Sequence, residues 1–361
     1  MFQLFKKTNP MKNIYYLGLI LTFFALSSCS RTEENISLLP PTADIVVDDL
    51  VRKTSLRNQE IPFKIINELG EDISLQATFF VNDTEIQGNI FTSETIGEFE
   101  VYGIYTENGT VVTTNTETFD VIIPKRKVVV EDYTGTWCGY CPIVTAAIDD
   151  AHDMTDDLTI ITIHKTGSGD PDLLHFPQVD ELRDAFGVFG YPTAKINRTI
   201  NWSNPYSLDE ITSLTGLDTN IGIAINSELS TDTNDLIIEV ELVNEQSFMT
   251  GDKLVVYLLE SGILQDQVNY YNDDPTSPYY QLGNPIPNFE QNHGLRNSLT
   301  NLTGDAISST AALVTYNRTF SFSIPENYNT ANMSVVVLVV NSDNTALNSQ
   351  FAELGENKPY E

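Results

Sequence analysis

Hydrophobic and polar residues alternate differently in three successive parts of this chain. In residues 43–124 and again in 218–361, short runs of aromatic and β-branched residues are separated by polar turns, which predicts antiparallel strands. In residues 125–217, strongly apolar runs alternate with helix-forming segments, which predicts alternating strands and helices. The length of 361 residues also favours two or three domains.

The first part predicts a small antiparallel sandwich over 43–124. Asn108-Gly109 is typical of a two-residue hairpin, because both residues tolerate positive φ. The segment from Gly97 to Tyr102 resembles a late strand of a bacterial immunoglobulin-like domain. The predicted strands are Phe63 to Ile66, Leu75 to Val81 and Phe99 to Tyr105.

The middle part begins with an almost continuously apolar strand, as expected when both faces of a strand are buried. Further strands and helices follow in alternation, and a last helix is predicted after Ser207. The predicted strands are Lys127 to Tyr133, Leu158 to His164, Ala194 to Asn197 and Thr199 to Trp202, and the first two helices are Ile143 to Met154 and Val179 to Phe186.

The last part predicts a second sandwich over 218–361, with a long loop from Gln265 to Asn297. Loops of this length are usually functional or disordered. The predicted strands are Ile221 to Ile225, Leu236 to Val243, Leu254 to Glu260, Thr319 to Ile324 and Val335 to Val340.

The N-terminus has the pattern of a secretory signal. Residues 1–28 carry no Asp or Glu, and a mostly apolar run from Ile14 to Leu26 is too short to span a bilayer. Leu26-Ser27-Ser28-Cys29 resembles the lipobox of bacterial lipoproteins, in which the cysteine is lipidated. We therefore expect a lipoprotein signal peptide over 1–28 and a lipidated tether over 29–42; the alternative is a signal that merely contains a cysteine.

The charge of the chain argues against a nucleic-acid partner. Asp and Glu number 50 against 19 Lys and Arg, for a net charge of −31 at pH 7. Such a surface repels phosphate backbones and anionic lipid, and no basic stripe offsets it. We therefore expect no nucleic-acid binding and a membrane attachment that depends on the N-terminal lipid.

The candidate chemistry lies in Thr136-Trp137-Cys138-Gly139-Tyr140-Cys141-Pro142. The segment follows a predicted buried strand and opens a predicted helix, where unpaired N–H groups and the helix dipole stabilise a thiolate. One helical turn separates the cysteines, so a disulfide between them can open and close with little backbone motion. We predict that Cys138, at the exposed end, is the nucleophile of thiol–disulfide exchange and that Cys141 resolves the mixed disulfide.

Two further residues fit this chemistry. Asp132 ends the preceding strand, where burial would raise the pKa of its carboxyl and let it relay a proton to Cys141; the alternative is a strand-end turn former. Pro192 stands where thioredoxin carries a cis-proline facing its cysteine pair; the alternative is an ordinary trans proline. With the cysteine pair, both positions resemble thioredoxin.

These patterns predict a multidomain α/β plus all-β fold. A thioredoxin-like domain over 125–217 would lie between an N-terminal immunoglobulin-like β-sandwich over 43–124 and a C-terminal β-sandwich over 218–361.

A zinc site is the main alternative use of the cysteine pair. Two thiolates need two further ligands, and His152 and His164 stand alone, outside the usual spacing. We therefore predict no metal and no cofactor.

The motifs together resemble the outer-membrane protein of 28 kDa family, a lipoprotein family of Gram-negative bacteria. The resemblance covers roughly residues 125–345 and leaves the N-terminal sandwich out. It implies an outer-membrane lipoprotein, periplasmic or surface-exposed, with a thioredoxin-like domain, for which adhesion or receptor roles have been proposed. The resemblance rests on Val130 to Pro142, on Gly169-Asp170-Pro171, on Phe186 to Thr193 with Asn197-Arg198, and on His293 to Arg296.

Two functions remain open at this point. The first is thiol–disulfide exchange with envelope proteins that carry thiols or disulfides. The second is binding or adhesion, with the Cys138–Cys141 disulfide as a static part of a scaffold. Fold alone does not decide between them.

Overall fold

The computed structural model describes residues 43–47, 53–169, 171–230, 232–308 and 311–361. The predicted signal peptide, the tether and Cys29 lie outside the described residues, as does Asp170. Within those ranges, no helix is both long enough and apolar enough to cross a membrane.

The first part of the described chain forms two small sheets around an aromatic core. One sheet has the strand order β1-β3-β6 and the other β2-β9-β7-β4-β5, with β8 paired to β7. The buried ring of Phe63 lies 6.0 Å from that of Phe79 and 5.5 Å from that of Phe119, between ring centroids. The predicted strands overlap β3, β4 and β7, and the predicted turn at Asn108-Gly109 joins β7 to β8. The strands are β1 (Ala43–Val47), β2 (Thr54–Leu56), β3 (Ile61–Asn67), β4 (Thr78–Val81), β5 (Thr84–Glu85), β6 (Ile90–Phe91), β7 (Gly97–Glu107), β8 (Thr110–Thr113) and β9 (Glu117–Ile122).

The second part contributes four strands and the three α-helices of the described residues. Strands β10 and β11 are parallel, whereas the β12–β13 hairpin runs antiparallel to β10. Alternate residues of β10 face different cores: Val130 packs with α1, and Val129 packs with α2. The elements are β10 (Val128–Thr134), α1 (Pro142–His152), β11 (Leu158–His164), α2 (Val179–Phe186), β12 (Thr193–Ile196), β13 (Ile200–Trp202) and α3 (Asp209–Thr212).

The third part completes two further sheets. One has four strands in the order β21-β15-β14-β24, and the other has nine, in the order β13-β12-β10-β11-β19-β16-β22-β23 with β20 paired to β16. Strands β17 and β18 form a separate hairpin. The strands are β14 (Ile221–Leu229), β15 (Asp235–Asn244), β16 (Lys253–Glu260), β17 (Ile263–Gln267), β18 (Ile286–Gln291), β19 (Gly294–Ser298), β20 (Asp305–Ala306), β21 (Tyr316–Ser323), β22 (Met333–Val340), β23 (Ala346–Glu353) and β24 (Asn357–Lys358).

The predicted fold class is wrong. The described residues form 24 strands and only three α-helices, so the protein is mostly β-sheet, and no separate α/β thioredoxin-like domain is evident. The reason is the pairing of β11 with β19 at Thr162 and Gly294, which continues the sheet of β10–β13 into strands of the third part. Helix α2 consequently packs against Val255 of β16 and Val336 of β22 as well as against β10.

The predicted long loop from Gln265 to Asn297 is also wrong in part. It contains most of the β17–β18 hairpin and the beginning of β19. The connection within the hairpin, residues 268–285, contains four tyrosines and is called the tyrosine-rich segment below.

Candidate functional site

Cys138 and Cys141 form a disulfide in the turn that joins β10 to α1. Pro142 occupies the first position of α1, where a helix needs no N–H donor, and Cys141 is the N-cap. The N–H of Cys141 donates to the carbonyl oxygen of Cys138 at 3.1 Å, and the N–H of Cys138 donates to that of Gly135 at 2.9 Å. The cysteine pair therefore lies at the N-terminus of a helix, after a buried strand.

The exposure predicted for Cys138 is wrong. Cys138 is 4% exposed and Cys141 is 1% exposed. The tyrosine-rich segment covers the turn that contains them: the N–H of Val268 donates to the carbonyl oxygen of Thr136 at 2.8 Å, and the N–H of Tyr270 to that of Gly139 at 2.9 Å. Local sequence does not reveal this contact, because more than 120 residues separate the two segments.

Asp132 is buried on the face of β10 that packs against α1. It is 1% exposed, and neither carboxyl oxygen has a hydrogen-bond partner. Burial raises the pKa of Asp132 to about 8, because desolvation disfavours the carboxylate. At neutral pH the side chain is therefore mostly a carboxylic acid that can donate a proton.

A cavity of about 380 Å³ connects Asp132 with α1, since Thr145 and Ile148 of that helix line the same cavity. Cys141 precedes these residues by four and seven positions and has helical backbone angles. Residues at this spacing share one face of a helix. Cys141 therefore belongs to the face of α1 that Asp132 faces across the cavity.

His164 and Asp172 form a buried pair beside the same cavity. His164 Nδ1 lies 2.9 Å from Asp172 Oδ2, while His164 Nε2 has no partner. Asp172 also accepts hydrogen bonds from the backbone N–H groups of Thr136 and Leu174, each at 2.9 Å. Burial alone would raise the pKa of Asp172, but His164 and these N–H groups outweigh it and hold the pKa below its ordinary value.

Sequence reasoning missed this pair, because it treated His164 as isolated and did not single out Asp172. His164 ends β11 and Asp172 lies in the loop between β11 and α2, so neither helix nor strand periodicity relates the two positions. The Asp172 carboxylate links the loop just before Cys138 to His164, which lines the cavity.

His293, in the connection between β18 and β19, also lines the cavity. Burial, together with a smaller contribution from nearby His152, lowers the pKa of His293 to about 4. His293 is therefore neutral at pH 7 and adds no charge opposite Asp132.

Pro192 lies at the end of the loop before β12, and the Tyr191–Pro192 peptide bond is cis. The ring of Tyr191 meets the ring of Trp137 edge to face, with 5.5 Å between centroids. Trp137 Nε1 donates to the carbonyl oxygen of Lys165 at 2.7 Å. The structure therefore brings the proline loop next to the residue that precedes Cys138, while the catalytic role of Pro192 stays a prediction.

The described parts of the chain contain no group of three or more His, Cys, Asp or Glu side chains arranged for a metal ion. What the site offers is one disulfide, one uncharged carboxyl and one histidine–carboxylate pair.

The fold and the site together define a mostly β-sheet protein with a covered disulfide at a helix N-terminus. The family model described as outer membrane protein Omp28 matches residues 179–358. On this match the chain belongs to the Omp28 family of outer membrane proteins, as the motifs indicated, and the family supports an outer-membrane location. The match begins after Cys141, so it does not bear on the cysteine pair.

A solved structure shows similarity of fold. HBP35 of Porphyromonas gingivalis is 20% identical, with a TM-score of 0.50 over 65% of this chain and 77% of that chain. A putative membrane anchored protein from Corynebacterium diphtheriae is 9% identical, with a TM-score of 0.18 over 88% of this chain and 58% of that chain, which is too distant to support an argument. No curated protein matches the sequence.

Proposed function

We propose that this protein carries out thiol–disulfide exchange with proteins of the cell envelope through Cys138 and Cys141. The observation that carries the proposal is the burial of the Asp132 carboxyl without a hydrogen-bond partner. A buried carboxyl without any hydrogen-bond partner is costly to fold, and groups with strongly shifted pKa values cluster at functional sites. Because Asp132 faces the side of α1 that includes Cys141, its proton can be used by that cysteine during exchange.

In the oxidising direction, a thiolate of the partner attacks Cys138 Sγ and forms a mixed disulfide. The Cys138–Cys141 bond breaks, and Cys141 leaves as a thiolate that takes the proton of Asp132. A second thiolate of the partner then attacks the mixed disulfide, forms the partner's disulfide and releases Cys138 as a thiolate. Two electrons thus pass from the partner dithiol to the cysteine pair, and the reverse sequence reduces a partner disulfide.

The test compares Asp132→Asn with Asp150→Asn, a matched change on the exposed side of α1. Oxidised protein is mixed with a dithiol peptide at pH 7, and the thiols of the protein are counted by mass after alkylation. We expect Asp132→Asn to slow exchange by about 100-fold, the usual contribution of a general acid, and Asp150→Asn to leave it unchanged. Equal rates in the two variants would remove Asp132 from the mechanism.

The partner is sought with Cys141→Ser, which leaves Cys138 unable to release a mixed disulfide. We expect this variant to retain envelope proteins through a reducible bond, and Cys138→Ser to retain none. Recovery of no mixed disulfide from the envelope would favour the second function.

That second function is surface binding or adhesion with a static disulfide. The burial of both cysteines beneath the tyrosine-rich segment favours it. It predicts a disulfide closed in every preparation and ligand binding that is unaffected by Cys138→Ser.

We further propose that lipid on Cys29 holds the protein to the outer membrane, on its periplasmic or its outer face. The lipobox-like segment before Cys29 supports this anchor. Cys29→Ala should move the protein from the membrane fraction to the soluble fraction. Continued membrane fractionation of the variant would contradict the anchor, and protease treatment of intact cells distinguishes the two faces.

A further inference from the structure

The tyrosine-rich segment binds residues 136–141, called the cysteine turn below, through backbone and side-chain contacts. Besides the hydrogen bonds from Val268 and Tyr270, the Nε2 of Gln267, at the end of β17, donates to the carbonyl oxygen of Cys138 at 3.0 Å. The rings of Tyr270 and Tyr271 meet the ring of Tyr140 edge to face, at centroid distances of 5.0 and 6.1 Å. The middle of the Cys-Gly-Tyr-Cys turn is therefore packed against this segment.

Gly139 is fitted to this contact. A Cβ at position 139 would lie 2.4 Å from the nearest atom of the Tyr270 ring, closer than any ordinary contact. The φ of Gly139 is not in the left-handed region, so the glycine is required by the neighbouring ring rather than by the backbone. The cysteine turn and the segment are thus complementary in shape.

The segment is held together by its own hydrogen bonds. Asn269 Nδ2 donates to the carbonyl oxygens of Tyr279 and Gly283 at 3.0 and 2.9 Å, and the Oδ1 of Asn284 accepts from the N–H of Asn269 at 3.0 Å. Loops whose ends are close and whose interior is filled by their own side chains behave as compact units. The segment can therefore leave the cysteine turn without losing its internal contacts.

We propose that the tyrosine-rich segment is a cover over the turn that contains Cys138 and Cys141. It occupies the surface, called the docking place below, on which an extended polypeptide of a partner protein binds. The proposal rests on the proposed function, because it concerns how a partner reaches Cys138. The backbone N–H groups of Val268 and Tyr270, two residues apart, donate to the turn as one edge of an extended strand does. An extended segment bearing a cysteine can make the same bonds to Thr136 and Gly139 once the cover leaves.

The cover is tested through the rate at which dithiothreitol reduces the Cys138–Cys141 disulfide in the full-length protein. Tyr270→Ala removes the ring that packs on the turn, and Gly139→Ala pushes that ring away. We expect each variant to be reduced about tenfold faster than the wild type, since the aromatic contact no longer holds the segment closed. Alkylation with iodoacetamide followed by mass measurement reports the fraction reduced.

The double variant Gly139→Ala with Tyr270→Ala separates the cover from other effects on the disulfide. If Gly139→Ala acts by displacing the ring, the double variant is reduced no faster than Tyr270→Ala alone. The control is Tyr280→Ala, which removes a tyrosine of the same segment that makes none of these ring contacts with Tyr140. Reduction of Tyr270→Ala and Gly139→Ala at the wild-type rate would overturn the cover.

The docking place is tested with a peptide that copies residues 265–273 with Asn269→Cys, against a scrambled peptide of the same composition. On the Tyr270→Ala protein, we expect the copied peptide to open the disulfide several-fold faster than the scrambled one. Equal rates would show that no extended segment is recognised there. If the cover test succeeds while Cys141→Ser with Tyr270→Ala still captures no envelope protein, the cover stands and the proposed exchange function fails.

Discussion

Two neighbouring acidic residues of β10 are both buried but differ in their hydrogen bonding. Glu131 and Asp132 point to opposite faces of the sheet, and each is at most 1% exposed. Glu131 Oε1 accepts a hydrogen bond from Arg198 Nε at 2.9 Å, and the phenol of Tyr133 donates to its other oxygen at 3.3 Å. Asp132 has no such partner.

The Arg198 guanidinium is itself well surrounded. Its Nη2 donates to Tyr257 Oη at 2.8 Å and to the carbonyl oxygen of Leu302 at 3.1 Å, and its charge lies 4.4 Å from the centroid of the Phe186 ring. Burial by itself would lower the pKa of Arg198, but Tyr257 and Glu131 outweigh it and raise the pKa. This face of β10 therefore holds an ion pair within the second part of the chain, and Arg198 connects that pair to Tyr257 and Leu302 of the third part.

This difference in hydrogen bonding distinguishes a buried carboxyl that stabilises the fold from one that can take part in chemistry. A paired, fully bonded acid stabilises one arrangement of the chain, whereas an unpaired acid keeps a proton that it can give away. The face with Glu131 meets a closed core, and the face with Asp132 meets a cavity that residues of α1 also line.

The largest effect is expected from the pH dependence of Asp132. Its pKa is about 8 in the folded protein and about 4 in an unfolded chain, so between these values the folded protein keeps a proton that the unfolded chain has lost. The contribution of this group to the free energy of unfolding therefore falls as pH rises, by about 1.4 kcal/mol per pH unit. The free energy of unfolding of Asp132→Asn minus that of the wild type should therefore increase, in favour of the variant, by on the order of 5 kcal/mol between pH 4 and pH 8.5.

Urea unfolding of both proteins at several pH values between 4 and 8.5 checks this expectation, with Asp150→Asn as the control. A difference between variant and wild type that does not change with pH would mean that Asp132 is ionised in the folded protein.

The next largest effect is expected on the other face. Arg198→Met leaves Glu131 buried without its counter-ion, which typically costs about 3–5 kcal/mol of unfolding free energy. Thermal or urea unfolding at pH 7 measures this loss. Lys125→Met removes an exposed ion pair with Asp218 and should cost less than about 1 kcal/mol.

Adding Glu131→Gln to Arg198→Met should recover part of the loss, because no unpaired charge is then buried. If the double variant is less stable than Arg198→Met alone, the ion pair is not the source of the effect.

Reduction of the disulfide should have a moderate effect. The described residues contain the single disulfide Cys138–Cys141, and it closes a loop of only four residues, for which chain-entropy arguments give about 2 kcal/mol. The aromatic core around Phe63 should stay folded, because it lies in another part of the chain. Unfolding curves with and without reductant check this, and loss of that core on reduction would contradict it.

The smallest effect is expected from Tyr257→Phe. The phenol accepts from Arg198 and donates to the carbonyl oxygen of Leu302 at 2.5 Å, but Leu302 keeps its bond from Arg198 when the phenol is removed. We expect a loss of about 1–2 kcal/mol, measured by urea unfolding. A loss as large as that of Arg198→Met would show that Tyr257, rather than Glu131, anchors the guanidinium.

Local structure was predictable wherever a short stretch of residues determines it. The sequence predicts the bounds of β11 and α2 as the structure has them, and places Cys141 and Pro142 at the start of α1. It also predicts the burial of Asp132, because the apolar run before it is typical of a strand with both faces covered.

The fold class was not predictable in the same way. Strand β16 places Leu254 and Val256 in the core beneath the four-stranded sheet and Val255 and Tyr257 in the core with α2. The continuous apolar run shows that both faces are covered, but it does not show what covers them. The pairing of β11 with β19 depends on backbone hydrogen bonds, which any residues can make, so no pattern of side chains marks it.

The sequence by itself therefore determined elements such as β11 and α2, the cysteine pair at a helix N-terminus and the family. Only the tertiary structure decided that the sheet continues from β10–β13 into the third part, that Asp172 pairs with His164, and that the tyrosine-rich segment covers Cys138. The physical reason is the separation along the chain between the residues that interact. Propensity, capping and turn chemistry act within a few residues, whereas sheet continuation, buried polar pairs and covers bring together residues that the chain separates without any local period.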